Sequence, residues 1–160
     1  MEYKRVFVPG GTYFFTAVTH LRQPIFLDEN AISVFKSGLI KIKKDYPFKI
    51  NAMVILPDHI HTIWTLPEND ANYPTRWRLI KSYFSHYWTK KMPNPLEKSA
   101  SRMMKNENSI WQRRFWEHTI TNEGDYLQHM EYVLYNPVKH GYVNDPKDWK
   151  YTFMTNNDYE

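Results

Sequence analysis

Pro57-Asp58-His59-Ile60-His61-Thr62-Ile63-Trp64 decides how the rest of the chain is read. β-Branched and aromatic residues surround two histidines one residue apart, a composition that favours a strand. Side chains alternate faces along a strand, so His59 and His61 share one face and Ile60 takes the other. Two adjacent imidazoles supply two ligands of a metal site; they also fit a half-buried, hydrogen-bonded pair. The H-E-x-x-H spacing of zinc peptidases is absent, and there is no cysteine to complete a zinc site. A third ligand must come from elsewhere in the chain.

Working outward, Phe48–Leu56 is apolar and β-branched and reads as the strand before the histidines. Pro57-Asp58 makes the turn into His59–Leu66, so the two strands form a hairpin. Thr12–Thr19, after the Gly10-Gly11 turn, reads as a first strand. Between them Asp28 is a good N-cap, and Ala31, Phe35, Gly38, Leu39 and Ile42 fall at helical spacing, with the helix ending near Lys44. A second helix runs from about Pro74 to Lys91 on a stripe of Trp77, Ile80, Phe84 and Tyr87. Pro93 and Pro95 end it. Residues 92–109 are polar and basic and read as a long mobile loop. Ile110–Ile120 resumes strand character. Thr121 or Asn122 caps a third helix, which Asn136-Pro137 should stop, and Trp149 should pack the tail onto the core. The order β, α, β, β, α, β, α predicts an α+β fold: a ferredoxin-like, four-stranded, mainly antiparallel sheet with helices on one face. It is read as one domain over residues 1–160.

The chain has 160 residues, 42% of them hydrophobic and 17% aromatic, enough to bury a real core. No apolar run reaches the roughly 20 residues that span a bilayer, and no signal peptide precedes the first strand. With no cysteine, disulfides are excluded. A soluble, cytoplasmic protein is expected. The net charge of +4 is unevenly placed: the segment 76–114 carries +8 and the remainder −4. Arg76, Arg78, Lys81, Lys90, Lys91, Arg102, Lys105, Arg113 and Arg114 form its candidate DNA-binding set, interleaved with Trp77, Tyr83, Tyr87, Trp88 and Trp111. Such a belt suits a phosphate backbone with bases to stack on, or else a solvated basic face over core aromatics.

In the third helix Leu127, Met130 and Leu134 read as the buried stripe. Tyr132 then lies about 160° from Met130 and Leu134, on a polar face with Gln128 and Asn136 at i−4 and i+4. Tyr135 lies nearer the stripe and reads as the packing tyrosine.

Three blocks, PDHIHTIW, WQRRFWEHTI and YVLYNPVKHGYV, together resemble the REP-associated tyrosine transposases. These are single-tyrosine relatives of the insertion-sequence single-strand transposases, within the HUH endonuclease superfamily. The resemblance spans most of the chain, in the family's order. It implies a ferredoxin-like sheet with the histidines on its central strands, a divalent cation (Mg²⁺ or Mn²⁺), and a helix that presents the nucleophile. It implies His59, His61 and Asn136 as metal ligands and Tyr132 as the catalytic tyrosine. The insertion-sequence relatives carry glutamine where this chain has the shorter Asn136. His118 also matches a family position, without a chemical role. The implied reaction is cleavage and rejoining of single-stranded DNA near hairpin-forming palindromic repeats, through a 5′-phosphotyrosine. The substantial tail after the tyrosine helix can tie that helix down, which favours a monomer over a dimer that exchanges it.

The chemistry of the residues is consistent with this. A cation held by two imidazoles and an amide can neutralise the charge on a phosphodiester. A phenol, with an ordinary pKa of about 10, needs such a cation nearby to lose its proton. A tyrosyl phosphodiester conserves the energy of the broken bond, so a new 3′-hydroxyl can rejoin the ends. Two other functions fit the fold. One is a single-stranded nucleic-acid-binding module of RRM type, although no RNP1-like pattern is present. The other is a phosphodiester hydrolase that uses water and forms no covalent adduct.

Overall fold

The computed structural model describes residues 5–91 and 110–155. The basic loop expected at 92–109, with Arg102 and Lys105, lies outside the described residues.

β1 (Thr12–Val18) leads through two short 3-10 turns to α1 (Glu29–Asp45). Asp28 caps that helix, its carboxylate accepting the Asn30 N–H at 2.8 Å. β2 (Lys49–Ile55) and β3 (His59–Thr65) form the expected hairpin, closed by Leu56 N–H to His59 O at 2.8 Å. α2 (Tyr73–Thr89) starts at Asn72, whose side chain accepts the Thr75 N–H. β4 (Trp116–Thr119), α3 (Glu123–Lys139) and β5 (Thr152–Met154) complete the chain. Asn122 caps α3 by accepting the Asp125 N–H at 2.8 Å.

The sheet order is β4-β1-β3-β2-β5, and every pairing is antiparallel. The first four strands in this order make the split-βαβ sheet the sequence predicts. β5 adds a fifth strand on the free edge of β2. Trp149 directs it there: the indole packs against the sheet and its Nε1–H donates to Ile55 O at 3.0 Å.

The helices do not share one face. α1 and α2 cover the face bearing Phe15, Ala17, Ile60 and Trp64, with Trp64 stacked on Trp77 at 4.6 Å. α3 covers the opposite face, where Val133 joins Ala52, Val54 and Ile63. The reason is in β3, which is buried from His59 to Trp64. A strand buried on both sides needs a layer on each.

α3 itself departs from expectation twice. Its packed residues are Val133, Asn136 and Pro137, flanked by Tyr126 and Met130, whereas Leu127 is exposed. Tyr126, Met130, Val133 and Pro137 follow the 4-3-4 spacing of one helical face; the Leu127–Leu134 stripe does not face the sheet. The helix also runs through Pro137 to Lys139. Proline this close to the end forfeits only its own N–H bond, and His140 N–H closes the last turn onto Asn136 O at 3.1 Å.

Arg76 leaves the DNA-binding set. It is 1% exposed. Its guanidinium pairs with both Asp70 oxygens (3.1 and 2.9 Å) and donates to the carbonyls of Tyr46, Pro47 and Asn72. A guanidinium so fully engaged joins the 46–47 turn to the start of α2. No helix among the described residues is long and apolar enough to cross a membrane.

Candidate active site

The two histidines sit side by side as strand alternation requires. Both are 5% exposed, and their ring centroids are 4.8 Å apart. Each Nδ1 is engaged. His59 Nδ1–H donates to the Asp58 carboxylate at 2.6 Å. His61 Nδ1 hydrogen-bonds Thr16 Oγ1 at 2.7 Å, across the β1–β3 register that pairs those two residues. With Nδ1–H donating to the Asp58 carboxylate, His59 keeps its lone pair on Nε2, and the bond to Thr16 holds the His61 ring in place, the arrangement that orients an imidazole as a metal ligand. Burial opposes the charged Asp58 carboxylate, but its hydrogen bond with His59, aided by Arg22 at 3.3 Å, holds its pKa below the ordinary value. Burial, with His59, His140, Lys139 and Arg22 nearby, pushes the His61 pKa down to about 3. His61 is therefore a neutral imidazole at any physiological pH.

α3 lays a second row over this one. The Tyr132 ring meets His61 edge-on at 5.2 Å, and His140 meets His59 at 5.1 Å. Tyr132, Asn136 and His140 are spaced i, i+4, i+8, so Asn136 stands between the two contacts, facing the histidine pair. Asn136 is 1% exposed, and neither its amide nitrogen nor its oxygen has a hydrogen-bond partner among the described residues. A buried orphan amide costs about 1–3 kcal/mol. An oxygen so placed beside two oriented imidazoles fits a cation ligand, and the donor set of two imidazoles and an amide carbonyl suits Mn²⁺, or Mg²⁺ with water completing its shell.

Tyr132 is 38% exposed and reaches both His61 and solvent. Its ring also meets Phe14 at 5.7 Å, and Lys139 Nζ lies 5.0 Å from its centroid. Tyr135 is not the packing residue expected: it is 49% exposed. Gln128, Tyr132, Tyr135, Asn136 and Lys139 line a cavity of about 350 Å³ at the helix surface.

The rest of the basic set is divided. Arg78, Lys90 and Lys91 are exposed on and just after α2, the layer on the far side of the sheet from α3. Arg113 and Arg114 are exposed before β4. Their segment passes the end of the sheet that carries His59: Gln112 N–H donates to Val18 O at 2.9 Å, and Val18 is paired with His59. Lys81 reaches the same segment, donating to Gln112 O at 3.3 Å. Sequence reasoning missed Thr16, which only the β1–β3 register places at His61. It read Asp58 as a turn residue only. It also passed over Lys139 and His140, although the 4-residue spacing from Asn136 could have found His140.

Residues 8–136 match the family model described as "Transposase IS200 like", a span that contains His59, His61, Tyr132 and Asn136. The REP-associated tyrosine transposase of Escherichia coli (strain K12) is 42% identical over 94% of this chain and 81% of that protein. A Haemophilus influenzae relative named for the same family is 44% identical over 94% of this chain and 84% of its own length. Among solved structures, a REP-associated tyrosine transposase bound to a REP hairpin superposes with a TM-score of 0.79, at 41% identity, over 95% of this chain and 81% of that one. A Deinococcus radiodurans protein, at 18% identity and a TM-score of 0.53, shares the fold.

Proposed function

Because this chain belongs to the REP-associated tyrosine transposases, within the IS200-like transposase family, we propose that it nicks and rejoins single-stranded DNA beside hairpin-forming repeats, with Tyr132 as nucleophile. The observation that carries this reading is the pairing of the two rows: His59 and His61, each with Nδ1 engaged, beneath Tyr132, the orphan amide of Asn136, and His140.

His59, His61 and Asn136 would hold a divalent cation, Mg²⁺ or Mn²⁺, which when bound neutralises charge on the scissile phosphate and favours the phenolate. Asp58 fixes the tautomer and orientation of His59, and Thr16 the orientation of the His61 ring. Tyr132 gives up its phenol proton to solvent and its Oη attacks phosphorus; the Tyr–O–P bond forms as the bond from phosphorus to the 3′ oxygen breaks, and that oxygen takes a proton from water to leave as a hydroxyl. Lys139, above the Tyr132 ring, favours the negative charge that develops on the phenol. The 5′-phosphotyrosine keeps the bond energy, so a 3′-hydroxyl returning along the same path reseals the strand. Arg113 and Arg114, in the segment that passes the end of the sheet carrying His59, are the cations we assign to the DNA backbone.

The likeness to a relative solved on a REP hairpin supports a hairpin as the substrate. The test is nicking of an end-labelled single-stranded hairpin with flanking sequence, in Mn²⁺ or in EDTA, by the native protein and by His59→Ala. Cleavage by the native protein in Mn²⁺ alone is expected. Undiminished cleavage in EDTA, or by His59→Ala, would refute the cation-dependent reading.

A further inference from the structure

Beside the histidine pair stands a second convergence of donor groups that the nicking reaction does not use. His118 projects from β4, and Asp125 and His129 from the first two turns of α3. His118 Nε2 is 3.0 and 2.8 Å from the two Asp125 carboxylate oxygens. His129 Nδ1 is 3.0 Å from Asp125 Oδ1 and 2.8 Å from Asp125 O. One ligand atom from each of the three residues falls within 4.8 Å of the others. We propose that His118, Asp125 and His129 form a second divalent-metal site, of the zinc class, that clamps β4 to the helix carrying Tyr132.

Three features favour a cation over a plain hydrogen-bonded cluster. The donors come from two separate elements and converge on one carboxylate. That carboxylate is already aimed: Thr121 N–H and Oγ1–H both donate to its Oδ2, at 2.9 and 3.2 Å. The two imidazoles stack face to face, 4.5 Å apart and within 15° of parallel. Rings this close bring one nitrogen each within reach of a shared ion beside Asp125. Two imidazoles and a carboxylate make a three-ligand zinc set that leaves a fourth position open. His118, 46% exposed, leaves that position facing solvent, where water completes the shell. Loading displaces the proton that His129 Nδ1 gives to the Asp125 carbonyl, so the ion enters as protons leave.

The site is separate from the nicking centre. Phe14 stands between them, its ring 5.0 Å from His129 and 5.4 Å from His61. His129 is three residues before Tyr132 on the same helix, so a clamp at this point fixes the height and rotation of the nucleophile above His61.

The experiment uses the untagged full chain, stripped with EDTA, dialysed against Zn²⁺, and assayed for bound zinc and for melting temperature. Zinc also suits the His59/His61 centre, so His59→Ala/His61→Ala is the background that isolates the second site. That double variant should retain about one zinc per chain. At a hundredfold excess over Kd its melting temperature should rise by roughly 5–10 °C. Adding His118→Gln, which still donates to Asp125 but binds zinc poorly, should remove both the zinc and the rise while leaving the metal-free melting temperature nearly unchanged. Either of two results would overturn the site: no zinc on the double variant, or retention of zinc and its melting rise after His118→Gln. Neither depends on the role of Tyr132 or of the first centre.

Discussion

Replacing Asn136 with leucine should stabilise the metal-free protein and weaken its hold on a cation. The Asn136 side chain is 1% exposed with both polar atoms unpartnered among the described residues. Such an amide costs about 1–3 kcal/mol, and leucine of the same branching removes that cost. Leucine is bulkier, and overpacking takes back part of the gain. A net gain of roughly 1–2 kcal/mol follows, or about 2–8 °C in melting temperature for a domain of this size. Adding Mn²⁺ should narrow or reverse the difference. At a hundredfold excess over Kd the cation stabilises the native protein by about 2.7 kcal/mol. Binding weakened 10- to 100-fold would leave the variant only about 0.4–1.4 kcal/mol of that. Thermal unfolding in EDTA and in Mn²⁺ reads both effects. A variant that melts lower than the native protein in EDTA, or gains as much from Mn²⁺, would refute the reading of Asn136 as a ligand kept at a cost in stability.

Asp58→Asn leaves His59 in place but removes the charged acceptor at 2.6 Å, so Mn²⁺ affinity should fall 10- to 100-fold by calorimetry with little change in fold. Asp70→Asn should cost roughly 2–3 kcal/mol at neutral pH by denaturant unfolding, less than a fully buried pair because Asp70 is a third exposed. The Arg76 hydrogen bond is the main cause that holds the Asp70 pKa below its unfolded value. The pair's contribution is thus complete above the unfolded pKa and is lost as pH falls through the folded one, and the deficit of Asp70→Asn should vanish in acid. For DNA, Arg114→Ala should lower the slope of log K against log salt by about 1, whereas Arg78→Ala, on the far layer, should leave it unchanged; equal effects would place the strand along α2.

Much of this was legible because strand alternation and helical spacing are strong local signals. His59 and His61 had to share a face once Ile60 and Ile63 marked a strand, and the hairpin with its two flanking helices followed from turn and cap residues. Three things were not local. Thr16 reaches His61 only through pairing across 45 residues. Arg76 belongs to a basic run by composition, yet its partner Asp70 lies outside the helix it serves, at a spacing no helical rule marks. The packed face of α3 was misread because Leu127 and Leu134 outweighed Tyr126 and Val133 by hydrophobicity, although the latter complete the regular spacing with Met130 and Pro137. The pairing of Tyr132 with Asn136 survived that error, since residues four apart share a face whichever side is buried.

Peptide mapping of the covalent product tests the central claim most directly. The native protein, incubated with a single-stranded hairpin substrate and Mn²⁺, is denatured, digested and searched by mass spectrometry for the peptide carrying a nucleotide 5′-phosphate. Attachment to Tyr132, absent in Tyr132→Phe and retained in Tyr135→Phe, is the predicted result. Attachment to Tyr135, attachment through a 3′-phosphate, or cleaved DNA with no protein adduct would contradict it.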